Sequence, residues 1–189
     1  MSEIKNITKI LNSHALQKGA AVDCLFTALY PEVKKIANAQ LRKMGQQQDM
    51  SPTMLVNECF IKLKKNDELN LQNRKHFYSL IARCMRFYLV DLIRQQNTLK
   101  NSGVHTVLTA DGVADTDQLQ VDVLTLHQAL AHLESIDTDL ASVVELKFFG
   151  GFSFEEMADI RSVSKSQVYQ QWQMARSVLL NLIEDAKDQ

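Results

Sequence analysis

Two helix-start signatures close together near the C-terminus constrain this chain more than any other feature. Ser153 is followed three residues later by Glu156, and Ser164 by Gln167. In that pattern each side chain satisfies a backbone donor left over at a helix start. Phe154, Met157, Ala158 and Ile160 recur at helical spacing between them, which predicts a short amphipathic helix ending near Arg161 and a longer one beginning at Ser164. Upstream, Leu140, Val143, Val144 and Phe148 carry a helical period that stops at Gly150-Gly151. Consecutive capped helices joined by a tight turn are the sequence logic of a helix-turn-helix, whose second helix reads the major groove of DNA.

The second helix resolves by face. Val168, Trp172, Ala175, Leu179 and Leu182 form the inward stripe, and Ser166, Gln170 and Gln173 lie opposite, with Gln167 and Tyr169 flanking. Gln can bond an adenine edge through two hydrogen bonds, while Ser164, Lys165, Ser166 and Tyr169 suit phosphates and sugars. A solvated polar face is the bland alternative for a lone helix; two capped helices in succession favour the DNA reading.

The net charge of -1 conceals an asymmetry. Residues 33–100 hold 13 Lys and Arg against 5 Asp and Glu, and residues 101–189 hold 5 against 14. A basic middle third is a footprint suited to a polyanion. Cys24, Cys59 and Cys84 are odd in number and set among apolar residues, the pattern of reduced core cysteines. The start of the chain has no apolar signal core, and no stretch is long and uncharged enough to cross a bilayer, so a cytoplasmic protein is expected, with no membrane insertion. His14, His76, His105, His127 and His132 lack metal-ligand spacing, and no phosphate loop or nucleophile motif occurs. The expectation is therefore a protein that is not an enzyme and has no cofactor, metal or catalytic residue.

Taken in order, the chain predicts an all-α protein of two helical domains, 1–98 and 122–189, joined by a flexible acidic linker over 99–121. Ile4, Ile7, Ile10 and Leu11 suggest a first amphipathic helix, and Pro31 a start or kink in the next. Gly45 and the three Gln after it read as a loop. Ser51-Pro52 opens a helix with a natural cap and a first-position proline, buried through Leu55, Val56, Cys59, Phe60 and Leu63 and closed by Lys62, Lys64 and Lys65. Residues 66–73, rich in turn formers, read as a loop.

The helix from Arg74 to about Gln96 carries the most specific charge pattern. With Phe77, Leu80, Ile81, Cys84, Tyr88 and Leu92 turned inward, Lys75, Ser79, Arg83 and Arg86 fall on the opposite side and Arg94 and His76 at its edge. Such a face can track a phosphate backbone, and Tyr78 with the Asn-rich loop can hold unstacked bases. A plain solvated face is an equal alternative for this helix alone. From Leu99 to Val121 periodicity is lost among Asn101, Ser102, Gly103, Gly112 and the acids Asp111, Asp115 and Asp117; no β-pattern of useful length appears.

These residues resemble bacterial RNA polymerase sigma factors of the two-domain, extracytoplasmic-function class. Residues 53–63 and 74–94 are similar to the helices of that family's second region, and 144–158 with 163–168 to its fourth region. The likeness runs in order through nearly the whole chain, on both sides of the linker. It implies that the first domain grips core RNA polymerase through Thr53, Asn57, Glu58 and Ile61. The same domain would melt the minus-ten promoter element with Asn66, Asn70, Asn73, Lys75, Tyr78, Arg83, Arg86 and Arg94. The second would read the minus-35 element with Ser164, Lys165, Ser166, Gln167, Tyr169, Gln170 and Gln173, catalysis belonging to the polymerase. Phe148 and Phe149 could meet the polymerase flap, although core packing is the more natural duty for them.

Two departures from the family pattern stand out. The polymerase-binding helix opens on Ser51-Pro52-Thr53-Met54, where many members carry several acids, and Glu58 is the carboxylate that remains nearby. The basic run that often follows Arg94 is thinned to Gln95-Gln96-Asn97. A phosphate on Thr53, in a first helical turn, would supply the missing charge where free donors and the dipole favour it; an ordinary first-turn threonine is the even alternative. A Ser/Thr kinase or an anti-sigma factor then joins promoter DNA and core RNA polymerase among expected partners. Competing readings are a stand-alone helix-turn-helix regulator and a sigma-like interaction protein without promoter activity.

Overall fold

A computed structural model of the chain describes residues 18–43, 50–65, 73–100, 106–110 and 119–185. They form seven helices and two short strands, in the order α1 Lys18–Lys43, α2 Pro52–Lys64, α3 Arg74–Lys100, β1 Val107–Ala110, β2 Leu119–Asp122, α4 Val123–Ile136, α5 Thr138–Phe148, α6 Phe154–Arg161 and α7 Lys165–Asp185. The all-α expectation holds. Contacts divide the chain into two compact units, Met1–Tyr88 and Leu89–Gln189, and the division falls inside α3. The helix expected over Ile4 to Leu11 and the loop expected at Gly45 lie outside the described residues.

In the first unit α1 starts at Lys18 and runs through Pro31, which neither starts nor ends it. Phe26, Leu29, Val33, Ile36 and Ala37 of α1 are buried, with Leu55, Val56, Cys59 and Leu63 of α2 and Phe77, Ile81, Ala82 and Met85 of α3. Phe26 packs edge-on against Phe60 at 4.8 Å and Phe77 at 6.0 Å between ring centroids, an arrangement aromatic quadrupoles favour. α2 begins as its sequence dictates. Ser51 Oγ accepts the Met54 N–H at 3.2 Å, and Pro52 takes a position whose N–H would have no helical partner. Burial pushes the Cys59 thiol up, with Cys84 adding to the effect, so Cys59 behaves as the inert core cysteine expected.

The second unit corrects the expectation of an aperiodic linker. Residues 107–110 and 119–122 pair antiparallel as β1 and β2, Val107 opposite Asp122 and Ala110 opposite Leu119. Their period is two: Leu108, Ala110, Leu119 and Val121 are buried, while Val107 and Gln120 are exposed. Four-residue strands separated by polar residues leave too short an alternation to stand out in a sequence. Asp122, the last residue of β2, caps α4 by accepting from Leu124 N at 3.0 Å and Thr125 N at 3.1 Å. Asp137 caps α5 likewise, accepting from Asp139 N and Leu140 N.

α5 is buried from Leu140 to Phe148, Glu145 and Lys147 included. Lys147 Nζ donates to the Phe152 carbonyl at 3.2 Å and sits 4.5 Å from the Phe154 ring centroid, so its charge is not left bare. At the α5–α6 turn a Cβ on Gly150 would come within 2.5 Å of both the Leu146 carbonyl oxygen and the Phe152 ring. Gly151 takes a φ of 66°. Trp172 of α7 is fully buried against Phe148 and Phe154, at 5.9 and 6.3 Å. The α7 stripe is Val168, Trp172, Ala175, Leu179 and Ile183, which replaces the expected Leu182 by its neighbour.

α6 ends on Ser162 in the left-handed region at φ 56°, a conformation that costs an L-residue about 1–2 kcal/mol. Ser162→Gly should therefore raise the unfolding free energy of this unit by about 0.5–1 kcal/mol. Gly150→Ala should lower it by about 1–3 kcal/mol through overpacking. Urea midpoints of the two variants, read by tryptophan fluorescence, check both signs.

Candidate nucleic-acid interface

α6, a tight turn and α7 form the helix-turn-helix. Ser153 and Glu156 close a reciprocal capping box: Ser153 N–H donates to the Glu156 carboxylate at 2.8 Å, and Glu156 N–H to Ser153 Oγ at 3.2 Å. Ser164 and Gln167 repeat it, at 3.0 and 3.2 Å. Capping thus occupies Ser164 and Gln167 even though both are exposed. Lys165, Ser166 and Gln170 are exposed at the start of α7, Gln173 is half-buried, and Tyr169 is half-buried with its ring edge-on to Phe154 at 5.5 Å. Met174, one turn beyond Gln170, is 61% exposed. The outward face is thus turned slightly from the one expected, and Met174 shares it. Its spacing of four from Gln170 places it on that face.

Around these residues the surface is poor in positive charge. Glu155, Glu156 and Asp159 are exposed on α6. The Arg161 side chain is 4% exposed and lies 4.0 Å from Asp139 across to the start of α5. Burial pulls its pKa down, against the opposing pull of Asp139 and Asp137. Lys165 pairs with Glu155.

α3 departs from the expected face. Its buried residues are Phe77, Tyr78, Ile81, Ala82, Met85, Arg86, Leu89, Val90 and Ile93, while Leu80, Cys84, Tyr88 and Leu92 are only half-buried. Arg86, expected on the outward face, and Tyr78, expected to hold unstacked bases, are 1% and 3% exposed. The Arg86 guanidinium lies over the Phe87 ring at 4.9 Å, and the Arg74 guanidinium over Tyr78 at 5.7 Å. Lys75 and Arg83 are half-buried and Arg94 is exposed. Asn73 is exposed, and its side-chain oxygen caps α3 by accepting the His76 N–H at 2.9 Å. Asn66 and Asn70 lie outside the described residues.

On α2, Met54, Asn57 and Ile61 are exposed, and Thr53 and Glu58 half-buried. Beside this face Asp23, Thr27 and Tyr30 of α1 meet Asn57 and Phe60 of α2 across a groove of about 560 Å³. Lys64 closes one side, 3.0 Å from Asp23. Phe148 and Phe149 are fully buried, so packing is their duty and neither is presented to a partner. Among the described residues no group of His, Cys, Asp or Glu is placed to hold a metal, and no helix is long and apolar enough to cross a membrane.

A helix-turn-helix carried on the second of two helical units defines a DNA-binding protein of the transcription-factor class. The profile of the ECF sigma factor family matches residues 4–185, and the chain belongs to that family. It is accordingly a transcription initiation factor of the kind that directs RNA polymerase to promoters, in a family whose partners are core RNA polymerase, promoter DNA and anti-sigma factors. No curated protein matches the chain.

One property of the first unit follows from the burial of Tyr78. Desolvation first, then the neighbouring Glu32 charge, push its phenol from 10.0 up to about 12, against the opposing pull of Arg74. A pKa raised in the folded state favours folding fully below the unfolded value and is lost as pH climbs toward the folded one. Ultraviolet titration of the native chain should show one late tyrosine that is missing in Tyr78→Phe. The urea midpoint should hold to about pH 10 and fall between there and about pH 12, less steeply in the variant.

Proposed function

We propose that this chain is an alternative sigma factor that acts in the cytoplasm and divides one promoter between its two units. The observation that carries this is the exposure of Ser166 and Gln170 at the start of a capped, Trp172-anchored α7, the part of a recognition helix that reaches base edges. Gln170 is the reader of the minus-35 element, supported by Ser164, Lys165, Ser166, Gln167, Tyr169 and Gln173. Lys75, Arg83 and Arg94 meet the phosphates of the minus-ten region, with Asn66, Asn70 and Asn73 contributing from the stretch of sequence before α3. Tyr78 and Arg86, being buried, support that surface from within and do not touch DNA directly. Thr53, Asn57, Glu58 and Ile61 on α2 engage core RNA polymerase.

The first turn of α2 contains no acidic side chain, and Thr53 stands in it. A Ser/Thr kinase that phosphorylates Thr53 adds close to two negative charges where the helix dipole and free N–H groups favour them. Polymerase binding is thereby strengthened.

Run-off transcription with core polymerase on a genomic fragment library tests the assignment. Wild-type chain should yield specific start sites, and their absence even with Thr53→Glu would overturn it. Gln170→Ala should lower transcription from those sites about 5- to 100-fold, the worth of a bidentate base contact. Arg83→Ala and Arg94→Ala should weaken open complexes at every site and flatten their salt dependence. In pull-down of core polymerase, Thr53→Glu should bind more strongly than Thr53→Ala; equal recovery, with equal reporter output, removes the phosphorylation step alone.

A further inference from the structure

Between Arg161 and Arg176 the sequence holds one cationic residue, Lys165. It is the first residue of α7, where the backbone donors and dipole of a recognition helix also favour a phosphate. Its Nζ is engaged by the carboxylate of Glu155, in the first turn of α6. The two side chains are 54% and 63% exposed, so the pair contributes little to holding the fold. Lys165 heads the causes that pull the Glu155 pKa down. Among the described residues around it, Arg161 is buried beside Asp139, and the exposed Ser166, Gln167, Gln170 and Met174 are uncharged. Glu156 already serves the capping box.

We propose that Glu155 sets the affinity of the helix-turn-helix for DNA by competing with phosphate for Lys165. When the start of α7 approaches a duplex, Lys165 must leave the carboxylate before it can neutralise a phosphate, and the carboxylate left behind repels that same phosphate. The unit therefore gains little from counterion release, which supplies most of the sequence-independent affinity of DNA-binding proteins. Stable occupancy of the upstream element then depends on the polymerase that carries the chain there. Glu155 is an affinity-determining residue that touches no base. The inference rests on the DNA-reading assignment of the helix-turn-helix.

The test uses the full chain, a short fluorescent duplex of mixed sequence and a series of salt concentrations, because a phosphate contact is independent of sequence. Glu155→Gln should bind about fivefold more tightly near 0.1 M salt, with a log–log salt slope steeper by about one, the signature of one added phosphate contact. In the double variant Glu155→Gln with Lys165→Ala the steeper slope should disappear. Unfolding curves for Glu155→Gln should overlay those of wild type. Unchanged affinity and slope in Glu155→Gln overturn the proposal, and so does a gain that survives intact without Lys165, which would reduce Glu155 to simple repulsion. Promoter-specific run-off transcripts from the wild-type chain keep the DNA-reading assignment standing whatever this titration gives, so the two ideas fail separately.

Discussion

The packing of Trp172 against Phe148 and Phe154 is the contact on which the second unit turns. An indole with no exposed surface, held between rings from α5 and α6, settles which side of α7 faces inward. Because a helix has a fixed angular step, that choice also settles which side faces out. Every exposed residue at the start of α7 owes its direction to this burial. The two capping boxes act at the next level: they close the backbone donors at each helix start, so that α6 and α7 begin where the turn between them requires. The left-handed Ser162 is the strained joint that lets the chain reverse so quickly.

Local hydrogen-bond chemistry made this unit readable in advance. Ser153, Glu156, Ser164 and Gln167 each serve donors within three residues of themselves. A signal that short survives any tertiary context, and the likeness to sigma factors drew on the same stretch. Asp122 uses the same chemistry, yet in the sequence it stands just beyond the acidic linker and does not read as a cap. It caps the helix that begins at the next residue, by accepting from Leu124 N and Thr125 N.

α3 shows where such reading stops. Apolar residues lie on several sides of this helix: Phe77 and Ile81 on one line, Tyr78, Ala82 and Met85 beside it, and Leu80, Cys84 and Leu92 beyond. More than one inward stripe satisfies the helical period, and the observed one is turned toward Tyr78, Ala82 and Met85. That rotation carries Arg86 and Tyr78 into the interior, where ring faces and the Glu32 and Arg74 neighbours offset part of their desolvation. The basic face left outside is smaller than charge counting implies. The exposed start of α7 is likewise nearly neutral, because Lys165 is held by Glu155.

The sequence by itself determined the helical class, the starts of α2, α6 and α7, the stripe around Trp172 and the family, because caps and apolar periods act over one or two turns. Tertiary structure alone decided the strand pair within the supposed linker, the rotation of α3 and the partner of Lys165. Those depend on contacts between residues far apart in the chain, or on a choice among several equally periodic faces, and only the packed neighbours can make that choice.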